Sequence, residues 1–185
     1  MNLLAQLWLP ILLSAVAVWF ASALGWMLIG HHNKDHKGLP DEKAVREAIR
    51  AWKVPPGTYM FPYCTSHKDA SAPEHREKFK EGPNGMLRIW APVNMGVNMA
   101  LTFLVSLVVS TVVGYLGSAA LHPGDSFAHV FQVLGTAGVL AYTTASLPND
   151  IWFQRPGRAI VMSIIDGLVF GLVTGAVFAW LWPKS

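Results

Sequence analysis

Four long stretches of this chain are almost free of charged side chains, and this feature restricts its fold more than any other. They cover residues 5–29, 93–117, 126–147 and 159–182, and Asp166 is the one Asp, Glu, Lys or Arg inside them. About 20 apolar residues in a helix cross the ~30 Å hydrocarbon layer of a bilayer. The sequence therefore predicts an all-α integral membrane protein with four transmembrane helices, built as a single membrane domain over residues 1–185.

The composition and the flanking residues agree with this interpretation. Charged residues make up 14% of the chain, against about 25% in soluble domains. The first stretch lacks the basic residues that precede the shorter apolar core of a signal peptide, so we expect it to be retained. Pro123-Gly124, Leu147-Pro148-Asn149-Asp150 and Pro156-Gly157 predict turns between the later spans.

Residues 31–92 form the one sizeable polar segment, and we expect a mostly irregular insert between the first two helices. Asp41 can cap a helix that runs through Trp52, with its apolar face on the membrane surface or on a partner protein. A second short helix is predicted from Pro73 to about Lys80. The insert has too few apolar residues for a core of its own, so we expect it to pack on helix ends or on another subunit.

The distribution of Lys and Arg predicts the orientation. Thirteen of these residues fall in the insert or in the turn between the third and fourth spans, and Lys184 is the one on the other side. Basic loops stay in the cytoplasm. We therefore expect a multi-pass protein of a bacterial inner membrane with residues 31–92 cytoplasmic and both termini periplasmic.

Small residues recur at every fourth position of the fourth span, in the manner of a glycine zipper. Such stripes let two helices approach closely. The second span carries a companion stripe of small and polar residues, and the first span carries Ala17, Ala21 and Gly25; we expect these faces to pack on the glycine stripe. The fourth-span stripe is Ser163, Gly167, Gly171, Gly175 and Ala179, and the second-span stripe is Asn94, Asn98, Thr102, Ser106, Ser110 and Gly114.

Asp166 is the candidate functional residue of the spans. An Asp near a helix centre costs about 2.5–3.5 kcal/mol on insertion scales, so a compensating partner is expected. Antiparallel helices place Asn98, Thr102 and Tyr142 at a similar depth, and Arg158 could extend toward the carboxyl group. These residues form either a proton or ion site on a transport path or a helix-locking contact. We favour the contact, because transporters usually carry more than one buried ionisable group.

Histidines and one cysteine raise the possibility of zinc. Cys64-x-x-His67 with His75, together with His31, His32 and His36, offers suitable ligands. A second Cys/His pair at the usual spacing is missing, so we predict no metal and no cofactor. The sequence also lacks a P-loop, a dinucleotide fingerprint and an HExxH motif. We predict no catalytic residues and no enzyme activity.

Three stretches of the chain resemble a group of small four-span bacterial membrane proteins. The resemblance implies a four-helix membrane unit, and since that group has no settled activity it transfers no functional residue. The stretches are APEHREKFKEGPNGMLRIWAP, LHPGDSFAHVFQVLGTAGVLAY and DGLVFGLVTGAVFAWLWP.

Three hypotheses for the function follow, of which the third is a membrane enzyme that uses the Cys64 and His67 region. The first is a non-catalytic accessory or structural subunit of a larger membrane complex, respiratory or photosynthetic, with lipid and other membrane subunits as partners and no nucleic acid. The second is a small proton- or cation-coupled transporter that uses Asp166.

Overall fold

A computed structural model describes residues 3–184 of the chain, which divide into two compact units. The first unit contains the residues up to Lys37 and those from Met95 onward, and the second is Gly38–Asn94. The first unit contains α1 (Leu3–Gln6), α2 (Trp8–Ala23), α6 (Met95–Ala120), α7 (Phe127–Thr143), α8 (Leu147–Trp152) and α9 (Gly157–Trp180), and the second contains α3 (Glu42–Ala51), β1 (Gly57–Phe61), α4 (His67–Ser71), α5 (Pro73–Glu81) and β2 (Gly85–Ile89).

Four helical stretches of the described chain are long and apolar enough to cross a membrane. They are Trp8–Ile29, Met95–Ala120, Phe127–Trp152 and Gly157–Trp180. The structure is 70% helical with little sheet. The predicted all-α fold with four long apolar helices is confirmed, and the ends of these helices differ from the predicted ones by a few residues.

The segment from Leu147 to Asp150 is helical, and its prediction as a turn is wrong. It forms the start of the short helix α8, in which Pro148 occupies the first turn. The first backbone N–H groups of a helix have no partner within it, so a proline there loses no hydrogen bond. Further along, the Asp150 N–H donates to the Ser146 carbonyl over 2.9 Å. Pro148 therefore starts a helix here instead of ending one.

The second unit has more regular structure than the sequence suggests, and the prediction of a mostly irregular insert is wrong. Both predicted helices are present: Asp41 caps α3 by accepting a hydrogen bond from the Ala44 N–H at 2.9 Å, and α5 begins at Pro73. Between them lies β1, which pairs antiparallel with β2, with Gly57 opposite Ile89. The two strands are separated by more than 20 residues, so no short turn in the sequence marks the pairing.

The glycine stripe of α9 packs on α7. A β-carbon added at Gly175 would lie 2.6 Å from the Gly135 Cα, and one added at Gly171 would collide with the Val139 backbone nitrogen. The expectation that this stripe packs on the first two spans is wrong. The reason is that α7 supplies its own small residues, Gly135 and Gly138, at the facing positions.

The buried part of the small and polar stripe of α6, which includes Ser110 and Gly114, instead packs on α2. Ser14 of α2 donates a hydrogen bond to the Ser110 hydroxyl oxygen at 2.9 Å, and both side chains are fully buried. A β-carbon at Gly114 would lie 3.0 Å from Ile11 Cγ1. The bundle therefore consists of two close helix pairs, α2 with α6 and α7 with α9.

An apolar core closes the bundle at the end where α2 begins and α9 finishes. The Trp182 indole N–H donates to the His122 carbonyl at 2.9 Å, which ties the end of α9 to the turn between α6 and α7. The buried residues of this core are Leu7, Val113, Leu121, Val130, Leu134, Phe178, Ala179 and Trp182.

The contact between α7 and α9 can be tested with two alanine substitutions at facing positions. Gly175→Ala places its methyl group against backbone atoms of α7, whereas a β-carbon at Gly135 finds its nearest atom 3.8 Å away. We expect Gly175→Ala to destabilise the protein by about 1–3 kcal/mol, the usual range for an overpacked contact. Gly135→Ala should leave stability nearly unchanged. Thermal unfolding in detergent measures the difference, and equal losses would contradict this packing.

Candidate metal site

A glycine turn brings two histidines beside α9. After α2 the chain continues as a π-helix over Leu24–Ile29, in which the Gly30 N–H donates to the Gly25 carbonyl at 3.0 Å. Gly30 has a positive φ of 61°, a conformation that glycine adopts without strain. A 3-10 helix, His31–Asp35, follows directly. The left-handed residue thus ends the first span and turns the next two side chains toward α9.

His31 and His32 bind the carboxylate of Asp166. The His31 Nε2 lies 2.9 Å from Oδ1, and the His32 Nε2 lies 2.9 Å from Oδ2. The His32 side chain is 2% exposed, and those of Asp166 and His31 are 17% and 21% exposed. These three residues are called the histidine–aspartate cluster below. It is a largely buried polar site that joins the end of the first span to α9.

Asp35 and Arg158 form a second layer around the cluster. The His32 Nδ1 lies 2.6 Å from Asp35 Oδ2, and the Asp35 side chain is 4% exposed. Arg158 donates to Asp35 Oδ1 and, through Nη2, to the His31 carbonyl at 2.7 Å. The hydrogen bond from His32 lowers the pKa of the Asp35 carboxyl group, burial opposes this, and the charge of Arg158 adds to the lowering. Asp35 is therefore a carboxylate at neutral pH.

Trp26 covers one side of the site. Its indole stacks on the His32 ring with 4.1 Å between the ring centroids and 15° between the planes. The His31 and His32 rings are 4.4 Å apart. Because the indole and the neighbouring imidazole limit its movement, the His32 ring keeps both nitrogens directed at their carboxylates.

The protons of His32 restrict the chemistry of the cluster. A neutral imidazole has one N–H group and one acceptor nitrogen. His32 faces a carboxylate oxygen at each nitrogen, so a neutral ring leaves one nitrogen lone pair opposed to an oxygen. A second proton or a metal ion between the ring and a carboxylate removes this conflict. The donor atoms of His31, His32 and Asp166 lie within 4.8 Å of one another, as in a three-ligand metal site.

The structure does not bring the predicted companions of Asp166 to its carboxylate. Asn98 and Thr102 are exposed on α6, where the Thr102 hydroxyl donates to the Asn98 carbonyl at 2.8 Å. The Tyr142 ring instead packs edge-on against Phe170, with ring centroids 5.7 Å apart. Arg158 binds Asp35 and the His31 carbonyl, as described above, and not Asp166.

The sequence contains a histidine and aspartate motif at this site, but composition alone does not show whether the motif belongs to the helices or to the polar insert. His31-His32-x-x-Asp35 follows the first span directly. The predicted polar insert, residues 31–92, includes these residues, whereas in the structure they belong to the helical unit. The alternative zinc ligands Cys64 and His75 belong to the second unit, and the His67 side chain lies outside the described part of the structure. Within the described residues, the histidine–aspartate cluster is the one group of three ligands close enough to hold a metal.

Comparison with known proteins returned no relative. No family model, no curated protein and no solved structure matches the chain. The resemblance to small four-span bacterial membrane proteins therefore stays a prediction, and the function is argued from the site itself.

Removing the Arg158 guanidinium should loosen the segment that carries the histidines. Hydrogen bonds to charged groups contribute about 1.5–3 kcal/mol each to stability. Because the Arg158 side chain is 42% exposed, we expect its loss to cost an amount at the lower end of this range. For Arg158→Gln this predicts about tenfold faster trypsin cleavage at the exposed Lys34, since cleavage follows the open population.

Arg155→Gln is the matched control for this experiment. Arg155 also binds a carboxylate, that of Asp150 at 3.1 Å, but this partner is five residues away in the chain. Loss of the Arg155–Asp150 contact should leave trypsin cleavage at Lys34 unchanged. Equal acceleration by both substitutions would mean that the Arg158 contacts do not hold this segment.

Proposed function

We propose that this protein is a non-catalytic structural subunit of a larger membrane complex, respiratory or photosynthetic, in which the histidine–aspartate cluster fastens the first span to the fourth. The observation that carries the proposal is the binding of both Asp166 carboxylate oxygens by histidines at 2.9 Å. Because both carboxylate oxygens of Asp166 already contact histidines, the side chain links α9 to the segment after the first span.

The proposal includes a location and an orientation. The insert and the turn before α9 face the cytoplasm of a bacterial inner membrane, and both termini face the periplasm. Thirteen basic residues on one side against Lys184 on the other support this arrangement.

Close packing beside Asp166 favours a structural role over transport. The next residue, Gly167, is buried against α7, where an added β-carbon would lie 2.9 Å from the Tyr142 carbonyl oxygen. The α7–α9 contact continues in this way through Gly171 and Gly175. This contact closes any path for an ion between α7 and α9, and the Asp166 carboxylate itself faces His31 and His32 on the other side.

A polar patch on the outer side of α7 supports the existence of a partner. Gln132 and Thr136 are exposed one helical turn apart in the middle part of α7. They border a shallow groove with Gly135, Val139, Leu140 and Leu172. An amide in hydrocarbon gains about 0.6–2 kcal/mol from a hydrogen bond to a second helix. We propose that a transmembrane helix of a partner subunit occupies this groove.

Site-specific photocrosslinking in native membranes tests for the partner. A photoreactive residue at Leu140, in the groove, should crosslink to one protein species, and the same residue at the exposed Leu104 of α6 should not. Adding Gln132→Leu should weaken the Leu140 crosslink by about 3–30-fold, as expected for one interhelical hydrogen bond. Adducts with lipid alone at Leu140 would contradict the proposal.

Flux measurements test the alternative, a proton- or cation-coupled transporter that uses Asp166. In proteoliposomes, we expect the wild-type protein and Asp166→Asn to give the same background proton and cation flux. Asp166→Asn should instead lower the unfolding temperature, because the amide cannot accept from both histidines as a carboxylate does. Flux that depends on Asp166 in a variant of unchanged stability would favour the transporter.

A further inference from the structure

We propose that His31, His32 and Asp166 bind a divalent first-row transition-metal ion of the zinc type. The inference deepens the structural role given above and rests on it for what the metal does, namely to fasten the first span to α9. Metal binding itself is argued from the ligands, their geometry and their surroundings.

The ligands have the chemistry of a transition-metal site. Two imidazole nitrogens and one carboxylate suit zinc, iron, nickel or copper. Calcium and magnesium prefer sets of oxygen ligands, which the cluster does not offer. The nitrogens that face Asp166 are both Nε2 atoms, and each meets a different carboxylate oxygen.

The distances need small adjustment to receive an ion. Zinc binds nitrogen and oxygen at about 2.0–2.2 Å, so neighbouring ligand atoms of a tetrahedral site lie about 3.3 Å apart. Each histidine nitrogen is now 2.9 Å from an Asp166 oxygen, and the three donor atoms lie within 4.8 Å of one another. Because His32 is restrained by Trp26, we expect rotations of the His31 and Asp166 side chains to open the space for the ion.

The second layer matches the outer shell of metal-bound histidines. Such ligands usually donate their other N–H group to a carboxylate, which fixes the tautomer and orients the ring. Asp35 accepts from the His32 Nδ1 at 2.6 Å and is itself held by Arg158. With the His32 proton on Nδ1, the Nε2 lone pair points at Asp166. A cation between these atoms completes the arrangement.

The site is accessible enough to exchange an ion and to keep a water ligand. His31 and Asp166 retain partial exposure, whereas His32 is buried under Trp26. Three protein ligands leave one position of a tetrahedral ion for water. The competing explanation is a pair of imidazolium–carboxylate contacts without metal, and the two differ in whether the purified protein binds one equivalent of metal.

Metal titration of the full-length, untagged protein in detergent tests the proposal. The background carries Cys64→Ser, so that a free thiol cannot bind the metal, and the protein is first stripped with a chelator. We expect one equivalent of Zn²⁺ in calorimetry, a higher unfolding temperature with Zn²⁺, and with Co²⁺ the visible absorption of a four-coordinate ion.

Variants of the cluster and of distant histidines locate the site. We expect His32→Gln and Asp166→Asn to weaken Zn²⁺ binding by at least 100-fold, and Asp35→Asn to weaken it by about 10–100-fold as an outer-shell change. The exposed His36 and His129 provide the matched controls His36→Gln and His129→Gln, which should bind as the background protein does. If a buried variant does not fold, His31→Gln, at the more exposed ligand, serves in its place.

The outcomes separate this inference from the structural role. Absence of saturable binding in the folded background protein, or equal binding by all variants, overturns the metal site and leaves the structural role intact. If Zn²⁺ binds but Asp166→Asn leaves the unfolding temperature of the metal-free protein unchanged, the metal site stands and the structural role fails.

Discussion

The two histidine contacts to the Asp166 carboxylate are the interaction on which the polar part of this bundle depends. A carboxylate in an apolar span has a large desolvation cost, which hydrogen bonds and opposite charge must offset. His31 and His32 provide polar contacts to both oxygens at the level where the first span ends, so that Asp166 lies beside a polar turn. The turn needs Gly30, the ring of His32 needs Asp35, and Asp35 needs Arg158. Each layer therefore orients the one inside it.

The close packing of α9 on α7 determines where that carboxylate points. Successive residues of a helix are about 100° apart around its axis. Gly167 faces α7, so its neighbour Asp166 is directed away from that contact, toward the chain that leaves α2. The glycine stripe thus fixes both the distance between two helices and the rotation of α9. The glycine contact between α7 and α9 is therefore required for Asp166 to face the two histidines.

Local patterns predicted much of the fold, and contacts between distant residues explain most of what they missed. The spans, the Asp41 cap and the helix starting at Pro73 each depend on a short stretch of sequence. His31 and Asp166 are 135 residues apart, and no spacing rule connects them. The depth of Asp166 suggested Asn98, Thr102 and Tyr142 as partners, because depth alone cannot give the rotation of a helix. The β1–β2 pairing is not predicted because the two strands are also far apart along the chain. The helix that begins at Pro148 is predicted as a turn because a proline suits both a turn and a helix start.

The order of the cluster residues along the chain has a consequence for biogenesis. The histidines emerge from the ribosome with the first span, and Asp166 follows 134 residues after His32. The cluster can close only when the fourth long helix has been synthesised and has packed into the bundle. Until then the first span ends in two histidines without their carboxylate, and a chain truncated before α9 retains that state. Completion of the bundle is therefore marked by the closing of this polar cluster between the end of the first span and α9.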